Sequence, residues 1–244
     1  MASATGVPET VNDLRGAGEE EPLLGRRGDA NQMDGQPLYQ NLWIGTAPLA
    51  QAGIWILAAI VWGAIFSHKL IFFSAHPLLN SAGLLLVTQA ALILQPTHTP
   101  SQKREGTLVH FAFNLVGVSA LLVGLIVIEI NKGPNPAHGR FTSPHAIFGL
   151  IFYISIFLQA LVGFTQYFTP GLYGGVDNAK KVWKYHRMSG YVVATIGLAT
   201  VCAASWTTFN LDALHIQHWA VIVASVLVLV GLVPRIHLQK LGLK

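Results

Sequence analysis

Charge is what this 244-residue chain has least of. Asp, Glu, Lys and Arg together make up 11% of it, hydrophobic residues 52%, and its mean hydropathy is +0.50. A soluble domain carries roughly 25% charged residues, so the deficit points to lipid as the solvent for most of the sequence. Cysteine is nearly absent. Cys202 stands alone inside an apolar run, which excludes an intramolecular disulfide, a thiolate metal cluster and the C-x-x-C-H motif of covalent cofactor attachment. The net charge of +4 resides in the tail and loops. No stretch interleaves cations with aromatics as a strand-binding groove does, so nucleic acid is not an expected partner.

The first 44 residues lack any hydrophobic run and hold Glu9, Asp13, Glu19, Glu20, Glu21, Asp29 and Asp34. Such a segment cannot bury enough apolar area to offset ordering. It also lacks the apolar core of a signal peptide. Residues 1–44 are therefore expected to form a disordered acidic tail, 45–236 a transmembrane domain, and 237–244 a short C-terminal tail. Glu19 to Leu24 resembles an acidic dileucine sorting signal, and an ordinary acidic tail accounts for it equally well.

A bilayer core about 30 Å thick needs roughly 20 apolar residues per helix. Six segments qualify, near 48–67, 76–95, 107–130, 144–168, 184–206 and 214–233. The expected fold is an all-α membrane protein of six spans. Pro77 and Pro144 fall in first turns, where a missing N–H is tolerated, and the Gly/Pro-rich stretches at 133–136 and 170–175 read as loops. An even number of spans puts both termini on one side. That side gains Lys103, Arg104, Lys180, Lys181, Lys184, Arg187, Arg235, Lys240 and Lys244, while the other gains only Lys69, Lys132 and Arg140. Basic residues favour the cytosolic side of short loops, so both termini are expected in the cytosol.

Four histidines, His76, His110, His145 and His186, stand near the starts of spans two to five. An ionisable side chain inside a span is costly and by default marks a function. Because successive spans run in opposite directions, His76 and His145 share one side and His110 and His186 the other. Two facing imidazoles in each leaflet suit two stacked haems, with cofactor sites assembled from facing helices of a four-helix core made by spans two to five. Two imidazoles per iron leave no open coordination position, which restricts the chemistry to electron passage. No side chain is expected to act as a catalytic acid, base or nucleophile.

The stretches Phe73-Ser-Ala-His-Pro-Leu-Leu79, Lys103-Arg-Glu-Gly-Thr-Leu-Val-His110, Ser143-Pro-His145 and Lys184-Tyr-His-Arg-Met-Ser-Gly190 resemble the cytochrome b561 family of transmembrane oxidoreductases. The stand-alone cytochrome b561 domain-containing proteins are the most similar subgroup, over about residues 45–240. The resemblance implies two b haems, one on His76 and His145 and one on His110 and His186. It implies an ascorbate donor in the cytosol and an acceptor, monodehydroascorbate or ferric chelate, on the lumenal or extracellular side. An endomembrane (vacuole, endosome or ER) is expected ahead of the plasma membrane, and pairing into a homodimer stays open.

Lys103, Arg104 and Lys184 lie nearest the cytosolic histidines and are candidates for contacts with haem propionates or an anionic reductant. Positive-inside topology alone also predicts cations there. Asn80 and Asn114 each follow a proposed ligand by four positions, on the same helix face. They are candidates to hydrogen-bond an imidazole or a haem edge, and interhelical bonding is the alternative. The other deep polar residues are Gln89, Glu129, Gln159 and Gln166. Two other functions compete: a haem-free proton or solute transporter that uses the histidines as relays, and a quinone-linked b cytochrome subunit.

Overall fold

The computed structural model describes residues 30–134 and 140–242, and every regular element among them is helical. The acidic dileucine stretch, His138 and Lys244 lie outside the described residues. The main helices are α1 (Ala47–Phe66), α2 (Ala75–Leu94), α3 (Pro100–Lys132), α4 (Pro144–Phe168), α5 (Val176–Ala204) and α6 (His218–Leu232). All are long and apolar enough to cross a membrane, α6 together with the 3-10 turn that carries it to Arg235.

Two helices start well before the expected spans, α3 at Pro100 instead of 107 and α5 at Val176 instead of 184. Hydropathy marks where the apolar layer begins, whereas helix starts are set by caps. Thr99 Oγ1 accepts the Gln102 N–H at 3.3 Å, and Gln102 Oε1 accepts the Thr99 N–H at 3.2 Å. That reciprocal box, with Pro100 as the first helical residue, starts the helix in polar sequence. At 33 residues and about 1.5 Å per residue, α3 is on the order of 50 Å long and overruns an apolar core of roughly 30 Å. His110 and His186 therefore sit ten residues inside their helices, while His76 and His145 are second residues of theirs. At the other end, α6 begins at His218 instead of 214. Asn210 holds the intervening π-turn by donating to Ser205 O (2.7 Å) and Ile216 O (3.0 Å) while accepting from Ile216 N.

α2 packs along α3, α4 along α5, and α1 along α6. One core joins α1, α2, α5 and α6 through Ile54, Leu57, Leu84, Leu198 and Val228. A second core, of Leu121, Phe152, Tyr153, Ile156 and Val193, lies among α3, α4 and α5. The close approach of α2 and α3 depends on missing side chains, because a Cβ on Gly83 would lie 2.8 Å from Gly117 O. Leu122, Val123 and Ile126 of α3 and Ile151, Ile154 and Leu158 of α4 face outward, as a lipid environment requires.

The structure differs from expectation at both tails. Residues 30–44 and 237–242 pack on the end of the bundle where the described chain starts and stops, called here the terminal end. The reason lies at the C-terminus of α2, whose last carbonyls lack intrahelical partners. Asn41 Nδ2 donates to Ile93 O, Arg235 Nη2 to Leu92 O, and Lys240 Nζ to Gln95 O and Thr97 O, all at 2.8–2.9 Å. Arg235 is 1% exposed and also donates to Asn41 O, Ile44 O and Gln95 Oε1. Arg235 and Lys240 thus donate to the free carbonyls at the end of α2 and bind both tails to it.

Arg235→Met strands several buried acceptors at roughly 1–3 kcal/mol each. A thermal melt of the detergent-solubilised protein should show a clear loss of stability, and limited proteolysis should cut sooner between residues 30 and 46. An unchanged melt and cleavage pattern would mean that the tails are held by something else.

Candidate functional site

The four histidines converge in two layers. At the far end, His76 of α2 and His145 of α4 face each other with ring centroids 6.2 Å apart and planes at 84°. At the terminal end, His110 stands on α3 and His186 on α5, each ten residues into its helix.

What fixes the rings is backbone. His76 Nδ1–H donates to Gly124 O of α3 (2.9 Å), His110 Nδ1–H to Ala90 O of α2 (2.8 Å), and His145 Nδ1–H to Thr200 O of α5 (3.0 Å). A carbonyl can only accept, so Nδ1 carries the hydrogen and Nε2 keeps the lone pair in a neutral ring. Each ring is thereby locked in the tautomer that ligates metal, the role outer-shell acceptors play for metal-bound imidazole. His186 departs from the pattern: its buried Nδ1 has no hydrogen-bond partner among the described residues. Packing holds that ring instead. It lies against Gly163 of α4, where a Cβ would come within 2.8 Å of its Cε1.

An iron porphyrin fits this donor set. Two metal–imidazole bonds of about 2 Å each, plus the two ring radii, require centroids on the order of 6 Å apart, which is the His76–His145 separation. Cys202 points elsewhere, its Sγ 3.4 Å from Ser225 Oγ. Among the described residues no group of three or more His, Cys, Asp or Glu gathers to hold a bare metal ion.

The deep polar residues divide into two uses. Asn80 Nδ2 donates to His76 O (2.7 Å), Asn114 Nδ2 to His110 O (2.8 Å), and Gln159 Nε2, from α4, to His186 O (2.5 Å). The expectation that the asparagines address the imidazoles is thus met only nearby: both bond the carbonyl of the histidine four positions before them, and Asn80 Nδ2 lies 3.2 Å from His76 Nδ1. Asn80 Oδ1 in turn accepts the Tyr153 hydroxyl at 2.6 Å. Sequence reasoning missed Tyr153, although its place two helical turns beyond His145 puts it on the same face of α4. Gln89 instead pairs with Gln51 of α1, and Glu129 with Arg140 at 2.9 Å. Gln166 is 4% exposed, and its Nε2 has no partner.

The expected cationic contacts also divide. Lys103, Arg104 and Lys184 are exposed at the terminal end. Lys184 Nζ stands 4.9 Å over the Tyr185 ring and beside Gly242. Arg187 and Lys240 are turned inward, with Arg187 Nη1 donating to Lys240 O at 2.8 Å. Burial pulls the Lys240 amine down to about 7, with repulsion from Arg187 and Lys103 adding to it.

The model of the family described as eukaryotic cytochrome b561 matches residues 75–211, a stretch that contains all four histidines. The chain is 26% identical over 128 residues to the transmembrane ascorbate-dependent reductase CYB561 of Homo sapiens. It is 26% identical over 129 residues to that of Mus musculus and 25% over 128 to that of Bos taurus. Each match covers 52% of this chain, and the chain spans about half the length of these curated relatives. No solved structure matches it.

Gly163→Ala drives a methyl into His186, whereas Gly149→Ala has 3.7 Å to its nearest neighbour. The purified Gly163 variant should bind one haem fewer per chain than the Gly149 control, read by pyridine haemochrome assay. Equal haem content in the two variants would show that His186 needs no cradle.

Proposed function

The chain belongs to the eukaryotic cytochrome b561 family, and we propose that it passes electrons across a membrane through two b haems. His76 with His145 hold one, and His110 with His186 the other. The donor is ascorbate on the terminal side, taken as the cytosol, and the acceptor is monodehydroascorbate or a ferric chelate on the far side. The observation that carries this reading is the His76–His145 pair: two rings on different helices, 6.2 Å apart, each with Nδ1–H spent on a third element's carbonyl. The relatives' names supply the donor and the reductase chemistry; both termini in the cytosol and an endomembrane location are part of the same proposal.

Bound haem supplies a one-electron couple at iron. The four imidazoles would hold the two haems as two pairs and leave no position at iron for oxygen or substrate, so the chemistry the haems would supply is electron passage alone. Lys103, Arg104 and Lys184, exposed beside the terminal layer, raise the local concentration of an anionic donor. Leu121, Phe152, Ile156 and Val193 fill the space between layers. That apolar plug argues against a chain of proton relays, which needs polar groups along the whole path.

Ascorbate added to the purified protein should yield the spectrum of two reduced b haems. Alanine at His110 or His186 should remove the terminal haem and spare the other, and alanine at His76 or His145 the converse. Vesicles loaded with ascorbate should reduce an external ferric chelate, and His76→Ala should stop that flux while its remaining haem still reduces. A protein with no ascorbate-reducible haem, or a normal flux through His76→Ala, defeats the proposal. Single alanine variants of Lys103, Arg104 and Lys184 should slow reduction at low ionic strength, the difference fading near about 0.15 M salt, where screening acts beyond roughly 8 Å.

A further inference from the structure

Beside the far histidine pair an asparagine, a glycine and a tyrosine meet from three helices: Asn80 of α2, Gly124 of α3 and Tyr153 of α4. Gly124 serves twice. Its carbonyl accepts the His76 Nδ1–H, and its missing side chain admits the Asn80 amide, since a Cβ there would lie 2.5 Å from Asn80 Nδ2. Tyr153 is 8% exposed, and its ring stacks on Phe157 at 6.3 Å and 17°, with Phe152 at 6.0 Å. Packing therefore fixes where its hydroxyl points.

The direction of the amide follows from its neighbours. A backbone carbonyl can only accept, so the Asn80 nitrogen faces His76 O at 2.7 Å and the Asn80 oxygen faces Tyr153. The tyrosine must then be the donor of the 2.6 Å bond between them. One contact in this arrangement is unfavourable. Asn80 Nδ2 also lies 3.2 Å from His76 Nδ1, which already carries the hydrogen given to Gly124 O. Two hydrogen-bearing nitrogens meet there, in a buried setting where low dielectric strengthens polar contacts.

We propose that Tyr153 is a positioning residue: by holding the Asn80 oxygen, its hydroxyl keeps the positive end of the amide against the His76 ring and so raises the reduction potential of the far haem. The inference rests on the two-haem reading above. A carbonyl acceptor on Nδ1 makes an imidazole a stronger ligand, and a positive dipole beside the same nitrogen works in the opposite sense. The ring carries more positive charge when its iron is oxidised, so the dipole disfavours the oxidised form more than the reduced one. Hydrogen bonding around the ligands is one of the levers by which a protein sets a haem potential. A higher potential on the far side favours passage of the electron from the terminal layer to the far one.

The test is an optical redox titration of the purified, haem-loaded protein, which reads both haems at equilibrium without turnover. His76→Ala identifies which titration step belongs to the far haem. Asn80→Leu, which removes the amide, should lower that haem's reduced-to-oxidised ratio about tenfold at a fixed ambient potential, about 59 mV for a one-electron couple. Asn80→Asp keeps an acceptor for the hydroxyl but replaces the hydrogen-bearing end by oxygen, and should lower the ratio at least as far. Tyr153→Phe should shift the same haem in the same direction by about threefold. None of the three should move the terminal haem. The double variant Tyr153→Phe with Asn80→Leu should match Asn80→Leu alone, because a hydroxyl that acts through the amide then has nothing to hold. A far potential unchanged in Tyr153→Phe, or shifted equally with and without Asn80, overturns the proposal, as does loss of the far haem from that variant. Unchanged potentials in variants that keep both haems defeat only the role of Tyr153. Wild-type protein without a far haem would instead defeat the two-haem reading, and the inference with it.

Discussion

The fold turns on an exchange of hydrogen bonds between imidazole and backbone. His76 of α2 donates to α3 at Gly124, and His110 of α3 donates back to α2 at Ala90. Each acceptor carbonyl stands fourteen positions beyond the histidine of its own helix. The α4–α5 pair follows the same rule in one direction, since His145 donates to Thr200, fourteen positions beyond His186. A single such bond contributes only about 1 kcal/mol. Its larger effect is geometric, because it fixes helix register and ring tautomer together. A slip of one residue along either helix would part donor from carbonyl and turn both Nε2 atoms away from their partners.

The fourth position shows how the rule is broken. Fourteen residues beyond His145 stands Gln159, and here the bond is reversed: the Gln159 side chain donates to the His186 carbonyl, and His186 Nδ1 is left without a partner. Ser189 Oγ donates to Gln159 Oε1 at 2.8 Å and ties the amide down. A carbonyl partner on Nδ1 makes an imidazole a stronger ligand, so the proposed terminal pair is electronically uneven while the far pair is matched.

Much of this was legible in the sequence, and the limit is informative. Hydrophobic runs disclosed six spans because lipid forbids charge there, and alternation of helix direction sorted four histidines into two pairs. The partners of those histidines stayed hidden because they are the carbonyls of Gly124, Ala90 and Thr200, and backbone acceptors leave no mark on residue identity. Tail docking was hidden for a related reason. Asn41, Arg235 and Lys240 read as ordinary polar residues near the ends, and only the exposed carbonyls at the end of α2 give them work. The cations of the terminal end could not be told apart by composition either. Arg235, Lys240 and Arg187 donate to backbone carbonyls, whereas Lys103, Arg104 and Lys184 are exposed.

The fourteen-residue interval also explains why two layers fit in one bundle. At about 3.6 residues per turn it is close to four whole turns, so ligand histidine and acceptor carbonyl lie on the same face of each helix. One helix–helix interface can then serve both layers. At about 1.5 Å per residue the layers stand roughly 21 Å apart, inside an apolar core of roughly 30 Å. Three turns would leave too little room for the plug of Leu121, Phe152, Ile156 and Val193. Five turns would push the rings out toward water, where the imidazoles would lose the dry setting that makes their backbone bonds hold. Four turns keep both histidine layers within that core, with the apolar plug between them.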